Sequence, residues 1–304
     1  MTSSPSTSNN LSLADRLKLF RRKARYFFVS SIAAVIQRQP VAMLPKLQRI
    51  LMRVLPLFFH KELKRAGELL PAEFTERRDR ILRGMSLNQV MNLLEIFFYE
   101  KELAARPDFI RVSGTEHILP FLERKQGFIL LSGHFGNWEL LGYTLAKIGI
   151  PIHTIVRPQA INEMTEFMNS FRAKRGMKIL MANNLSKSLK LLHQGSGIGI
   201  MSDLNARERG YQVMFFGRNA SFYPTPVILS VRGNAPLIPV FIERNPDLSH
   251  VVRIEPPIEW QRGESMAVRI GKYVSRYESA IRRRPDQWVW FHERYVHADL
   301  GRIS

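Results

Sequence analysis

The sequence predicts an α/β fold: a central mixed β-sheet flanked by helices, preceded by a helical N-terminal region. Three observations lead there. Beyond about residue 106, short apolar runs of strand length alternate with segments of helical periodicity. Before that point the pattern is helical and basic throughout. A 304-residue chain with 45% hydrophobic and 10% aromatic residues also has enough apolar side chains for a large core, which excludes a mainly disordered chain.

Residues 1–10 are rich in Ser, Thr and Asn and are expected to be disordered; 11–105 form the helical region and 106–304 the α/β domain. Within the first part, 11–38 reads as a basic helix interrupted by Pro40 and Pro45, and 47–55 as a second apolar and basic stretch running on to Phe59. Helices are expected over 71–84 and 86–103, the latter with Val90, Leu93, Leu94, Phe97 and Phe98 on one core-facing stripe. In the second part, strands are expected at 110–113, 128–132, 152–156, 179–181, 197–201, 237–241 and 251–254. Helices at 115–125, 137–148, 161–175 and 184–194 separate the first five, and 266–283 forms the last helix.

Charge narrows the partners. Lys and Arg exceed Asp and Glu by 45 to 26, a formal +19, so the chain favours polyanions: nucleic acid, anionic lipid headgroups or an acidic protein. Arg16, Lys18, Arg21, Arg22, Lys23 and Arg25 crowd one segment and lead directly into the apolar run 26–36. That run is about half the ~20 residues a spanning helix needs, and Gln37-Arg38-Gln39-Pro40 is no leader-cleavage site. The pattern fits an interfacial anchor on an anionic membrane surface. With no RRM, KH or zinc-finger pattern, nucleic acid is not expected as a partner.

The most informative motif lies at the end of the second predicted strand: Gly133-His134-Phe135-Gly136-Asn137-Trp138-Glu139. His134 falls at a strand-to-helix junction, and a turn through Gly133 to Gly136 would let Glu139 fold back to the ring. A carboxylate holding one ring nitrogen as N–H leaves the other free to take a proton from a hydroxyl. The helix N-terminus behind it would face the oxyanion of an acyl transfer. The plainer alternative is a capped turn with a solvated Glu. Without cysteine the chain has no thiolate to carry an acyl group, so transfer would be direct. Neither a metal-binding HExxH, a phosphate loop nor a GxSxG elbow occurs.

This phrase resembles the HxxxxE box of the bacterial lipid A late acyltransferases, within the wider HxxxxD/E glycerolipid acyltransferase group. Further blocks follow in the same order: Val156-Arg157-Pro158 with Asn162, Phe171-Arg172 and Arg175-Gly176; Asp203-Leu204-Asn205 with Arg209-Gly210 and Phe215-Phe216-Gly217; and 284–292 with Arg294. Leu204, Tyr295 and Arg232-Gly233 depart from the family pattern, which bears on the substrate rather than on the fold.

The resemblance implies an O-acyltransferase on the cytoplasmic face of the inner membrane, peripheral or held by one N-terminal anchor. It would move a fatty acyl group from acyl carrier protein or acyl-CoA to a hydroxyl of a lipid A precursor, without metal or bound cofactor. His134 and Glu139 would be catalytic. Asn137, Arg157, Asn162, Arg172, Arg175, Asp203 and Arg209 would bind the anionic substrate, with Phe215, Phe216, Phe222 and Tyr223 available to line an acyl groove. Each has a plainer reading: Asn137 and Asn162 as helix starts, the arginines as solvated charges, Asp203 as an ion-pair partner, the aromatics as core. Two alternatives stay open: another acceptor such as a phosphatidylinositol mannoside, and a basic membrane- or nucleic-acid-binding protein without turnover.

Overall fold

The computed structural model describes residues 31, 34–36, 38–156, 162–181 and 184–296, with the side chains of 55–58 and 162–164 outside that description. The expected disordered segment 1–10 and most of the basic-to-apolar stretch 11–36 therefore lie outside the described residues.

Seven strands build the main sheet: β1 (Ile110–Ser113), β2 (Phe128–Ser132), β3 (Ile152–Val156), β4 (Lys178–Met181), β5 (Gly197–Met201), β8 (Leu237–Arg244) and β9 (His250–Ile254). Their order is β1-β9-β8-β2-β5-β3-β4. Only the β8–β9 contact is antiparallel, so five parallel strands adjoin a reversed pair and the sheet is mixed, as expected. Alternation along each strand feeds two separate cores. Phe128 and Leu130 of β2 enter one, Ile129 and Leu131 the other; Val240 and Phe241 of β8 divide the same way.

Helices cover both faces. In chain order they are α1 (Leu44–Phe58), α2 (His60–Leu69), α3 (Arg78–Ala105), α4 (Leu119–Glu123), α5 (Trp138–Lys147), α6 (Asn162–Lys174), α7 (Leu185–His193), α8 (Thr225–Arg232) and α9 (Met266–Arg283). One face packs under α5 through Leu140, Leu141, Tyr143 and Leu145; the other packs on α9 through Ile270, Tyr273, Val274 and Tyr277. Among the described residues no helix is long and apolar enough to cross a membrane.

Three local expectations need correction. The two helices expected over 71–103 are a 3-10 turn (Ala72–Arg77) followed by one long helix, α3. Gly84 does not break α3; it gives the Asp286 side chain room to approach, where a Cβ would come within 2.6 Å of it. On the expected stripe Leu93 is exposed, whereas Val90, Leu94, Phe97 and Phe98 are buried. The helix expected at 115–125 divides at Ile118 into a 3-10 turn and α4, because Pro120 has no N–H with which to continue the upstream turn.

Two further elements carried no clear sequence signal. Strands β6 (Tyr211–Phe215) and β7 (Arg218–Phe222) form a hairpin turning through Phe216 and Gly217, both at positive φ. Such turns are usually announced by Asn-Gly or Asp-Gly; here the Phe216 N–H is held by the Glu278 carboxylate at 2.6 Å. Helix α8 begins between Pro224 and Pro226, where no helix was expected.

Candidate active site

The chain leaves β2 at Ser132 and turns through Gly133-His134-Phe135-Gly136 into α5. Both glycines lie at close approaches, and Gly136 admits no side chain. A Cβ on Gly133 would sit 3.1 Å from the Asp203 carboxyl carbon; one on Gly136, which has φ +56°, would collide with the Ile242 carbonyl. The turn is pinned from outside: the Gly136 N–H donates to Gln287 O (2.9 Å), and the Val289 N–H to His134 O (3.2 Å).

The carboxylate on the His134 ring belongs to Asp203, just beyond β5. Asp203 Oδ1 lies 2.9 Å from His134 Nδ1, and its Oδ2 accepts the His134 backbone N–H at 3.1 Å. Arg294 completes the arrangement from behind, donating Nη2–H to Asp203 Oδ2 and Nε–H to the Asp203 carbonyl, both at 2.8 Å. Asp203 is fully buried. Burial alone would raise its carboxyl, but the His134 ring and then the Arg294 guanidinium hold it far below the usual range. An ionised Asp203 can accept a proton from Nδ1, which leaves Nε2 as the ring nitrogen able to exchange one.

The ring is also gripped edge-on from two sides, by Trp138 at 5.0 Å and His292 at 5.1 Å between centroids. Burial, then the nearby charge of Arg294 and of a protonated His134, pushes His292 down to about 3. It is neutral at physiological pH.

A pocket of about 540 Å³ opens beside His134, at the carboxyl ends of β2, β5 and β3, where open α/β sheets hold ligands. Its wall is mainly apolar and includes Leu130, Leu141, Ile152, Met168, Ile200 and Val240. Ser132, Glu139 and Arg172 add polar groups to it. This imidazole, with one nitrogen on a buried carboxylate and bordering a mainly apolar pocket, suits deprotonation of a hydroxyl beside an acyl chain.

Residues 20–297 match the family of bacterial lipid A biosynthesis acyltransferases. The chain belongs to this family. Three curated relatives bear on it. A phosphatidylinositol mannoside acyltransferase of Mycolicibacterium smegmatis is 22% identical over 62% of this chain and 63% of the relative. A lipid A biosynthesis palmitoleoyltransferase of Escherichia coli K12 is 24% identical over 64% of this chain and 63% of the relative. A lipid A biosynthesis lauroyltransferase of the same strain is 25% identical over 75% and 76%. The chain thus spans 63% of the length of the first two.

Against the residues expected of this acyltransferase family member, the structure makes several corrections. Glu139 does not reach His134. It is buried and grips Arg172 in a two-pronged ion pair, Oε1 to Nη2 at 2.5 Å and Oε2 to Nε at 3.0 Å. The reason is direction: the first turn of α5 carries Glu139 toward α6, away from the Nδ1 side of the ring. Asp203, expected on the substrate, stands behind the His134 ring. Asn137 is spent on structure: its Oδ1 caps α5 by accepting the Leu140 N–H (3.2 Å), and its Nδ2 donates to buried Glu95 (2.8 Å).

Arg175 lies over the rings of Tyr143, Phe171 and Tyr99 at 4.8–5.7 Å, outside the pocket wall. Arg209 sits on an exposed 3-10 turn (Arg207–Arg209), also outside the wall. Of the expected arginines among the described residues, Arg172 alone lines the pocket. Arg157 lies outside the described residues; Asn162 opens α6, with its side chain outside them. Phe215, Phe216 and Phe222 pack in the α9-side core, and only Tyr223 of the four aromatics reaches the pocket.

Sequence reasoning missed a second buried cluster beneath the same turn. Arg244, at the end of β8, donates to both oxygens of Glu95 (2.9 and 2.7 Å) and to Asn92 Oδ1 (2.8 Å), and also bonds Asn88 Oδ1. His250 Nε2 lies 3.2 Å from Glu95. Asn92 in turn donates to Gly136 O at 2.7 Å, so the cluster anchors the His134 turn. Asn88, Asn92 and Glu95 recur at helical spacing within an apolar helix, and that was the available signal. Among the described residues, no group of three or more His, Asp or Glu converges as a metal site would.

Proposed function

We propose that this protein is a membrane-associated O-acyltransferase that moves a fatty acyl group from a thioester donor, acyl carrier protein or acyl-CoA, to a hydroxyl of a lipid A precursor. His134 is the general base, with Nε2 taking the hydroxyl proton. The oxygen attacks the thioester carbonyl carbon, the C–S bond breaks, and the departing thiolate recovers the proton from the imidazolium. Asp203 fixes the ring and balances its charge, and Arg294 holds Asp203. The α5 N-terminus turns its positive end toward the pocket, where the tetrahedral oxyanion forms. Glu139 acts through Arg172, whose guanidinium gives the pocket mouth a positive charge. The reading calls for no metal or bound cofactor.

The carrying observation is the imidazole that borders a mainly apolar pocket with Nδ1 on a buried carboxylate. Family membership supports the lipid acceptor. The similarity to a phosphatidylinositol mannoside acyltransferase supports a second reading, the same chemistry on another membrane lipid. Peripheral attachment to the cytoplasmic face of the inner membrane is supported by α1, which exposes Lys46, Arg49 and Arg53 beside Ile50 and Val54 at helical spacing.

The test is transfer of labelled acyl groups from acyl carrier protein to a tetra-acylated, sugar-extended lipid A precursor in detergent. Wild type should turn over, while folded His134→Ala and Asp203→Asn should not keep pace. Transfer only to another lipid would replace the acceptor and keep the chemistry; undiminished transfer by His134→Ala would end the reading.

A further inference from the structure

The pocket reaches well past the reacting centre. Its wall follows β3 from Val156 back to Ile152, four residue steps or ~13 Å of strand. Along α5 the same descent runs from Trp138 through Leu141 and Gly142 to Leu145. At the inner end stand Leu145, Ile152 and Met177, all buried in one apolar cluster.

Gly142 is out of place by the rules of helix stability. It sits in the middle of α5, has no positive φ to justify it, and glycine there weakens the helix relative to alanine. What occupies the missing side chain's space is the tip of Met177: a Cβ on Gly142 would overlap the Met177 Cε and come within 3.1 Å of its Sδ. Met177 precedes β4 on a different segment, and both residues line the pocket. Methionine is unbranched and readily changes rotamer, so its tip can lie on a bare backbone or swing into open space. The open space beside it is the pocket.

We propose that Met177, seated against the bare backbone of Gly142, sets the usable depth of the pocket and hence the acyl chain length it accepts. The inference rests on the acyl-transfer reading of this site. Shortening Met177 deepens the pocket, and a methyl at residue 142 drives the Met177 tip into it. Each methylene gained or lost from burial changes affinity about fourfold.

Two readouts on the full-length protein separate this inference from the reaction itself. One is thermal stabilisation by a homologous series of free saturated fatty acids, which needs no turnover. The other is the chain-length profile of transfer from acyl carrier protein. Met177→Ala should move the optimum of both to longer chains, by about fourfold for each methylene accommodated. Gly142→Ala, which adds a better helix former, should move them to shorter chains, and should do nothing further in the Met177→Ala background. Met177→Leu keeps the volume and should stay near wild type.

An unmoved optimum in Met177→Ala overturns the proposal, as does a Gly142→Ala shift that persists without the Met177 side chain. Shifted fatty-acid binding without transfer to any acceptor would sink the acyl-transfer reading and keep the depth gate. Transfer with an unchanged chain profile would do the reverse.

Discussion

Two buried clusters in this protein have the same composition and opposite fates. In one, Asp203 is held by His134 and Arg294; in the other, Glu95 is held by His250 and Arg244. Both carboxyls are held low against the pull of burial by a His and an Arg. The difference is access. The His134 side chain is 20% exposed and borders the pocket, with Nδ1 on the carboxylate. His250 is 0% exposed, and its Nε2 is the nitrogen spent on Glu95. A carboxylate, an imidazole and a guanidinium therefore do not make an active site by themselves. On the proposed reading, the first cluster does chemistry because its histidine borders the pocket, and the other braces the turn that carries the first.

Substitutions should separate the two roles. The largest effect is expected from His134→Ala, which should lower kcat about 10²–10⁴-fold while changing stability little, as for loss of a general base. Asp203→Asn should follow with about a 10²-fold loss or more, because an amide can present the wrong group to Nδ1. In the bracing cluster, Arg244→Met strands Glu95 without its cation and should cost about 3–5 kcal/mol in urea unfolding.

Acid should act on both clusters, and Glu95→Gln isolates one. The Glu95 carboxyl sits at about 2 against an ordinary 4.5, so its contribution is complete above pH ~4.5 and disappears as pH falls toward 2. Wild type should lose roughly 3 kcal/mol more than Glu95→Gln across that window, measured by denaturant titration at each pH. The smallest effect is expected at the pocket mouth. Glu139→Gln and Arg172→Gln should each slow transfer by about tenfold, and the double variant should be no worse than either, the mark of one shared interaction.

Much of this was legible in the sequence because it is local. The apolar runs gave β2, β3 and β5 to the residue, and the 3.6-residue period of Val268, Ile270, Tyr273, Val274, Tyr277 and Ile281 gave α9. His134 was legible from its place between a strand-length run and a helix. Its partner was not, because Asp203 is 69 residues away and reaches the ring only through the parallel pairing of β2 with β5, which sets Ser132 opposite Met201. Spacing favoured Glu139, five residues off, yet a helix that starts at Trp138 points that carboxylate at Arg172. The hairpin β6–β7 escaped because a Phe-Gly turn carries no local signature. The Glu95 cluster escaped because an apolar helix reads as core whatever polar residues it carries.

The most direct measurement is ¹⁵N NMR of the His134 ring nitrogens in wild type, Asp203→Asn and Glu139→Gln. With Asp203 as the orienting carboxylate, wild type and Glu139→Gln should share one pattern, a protonated Nδ1 and a bare Nε2, and Asp203→Asn should lose it. A ring that responds to Glu139→Gln and ignores Asp203→Asn would contradict the account.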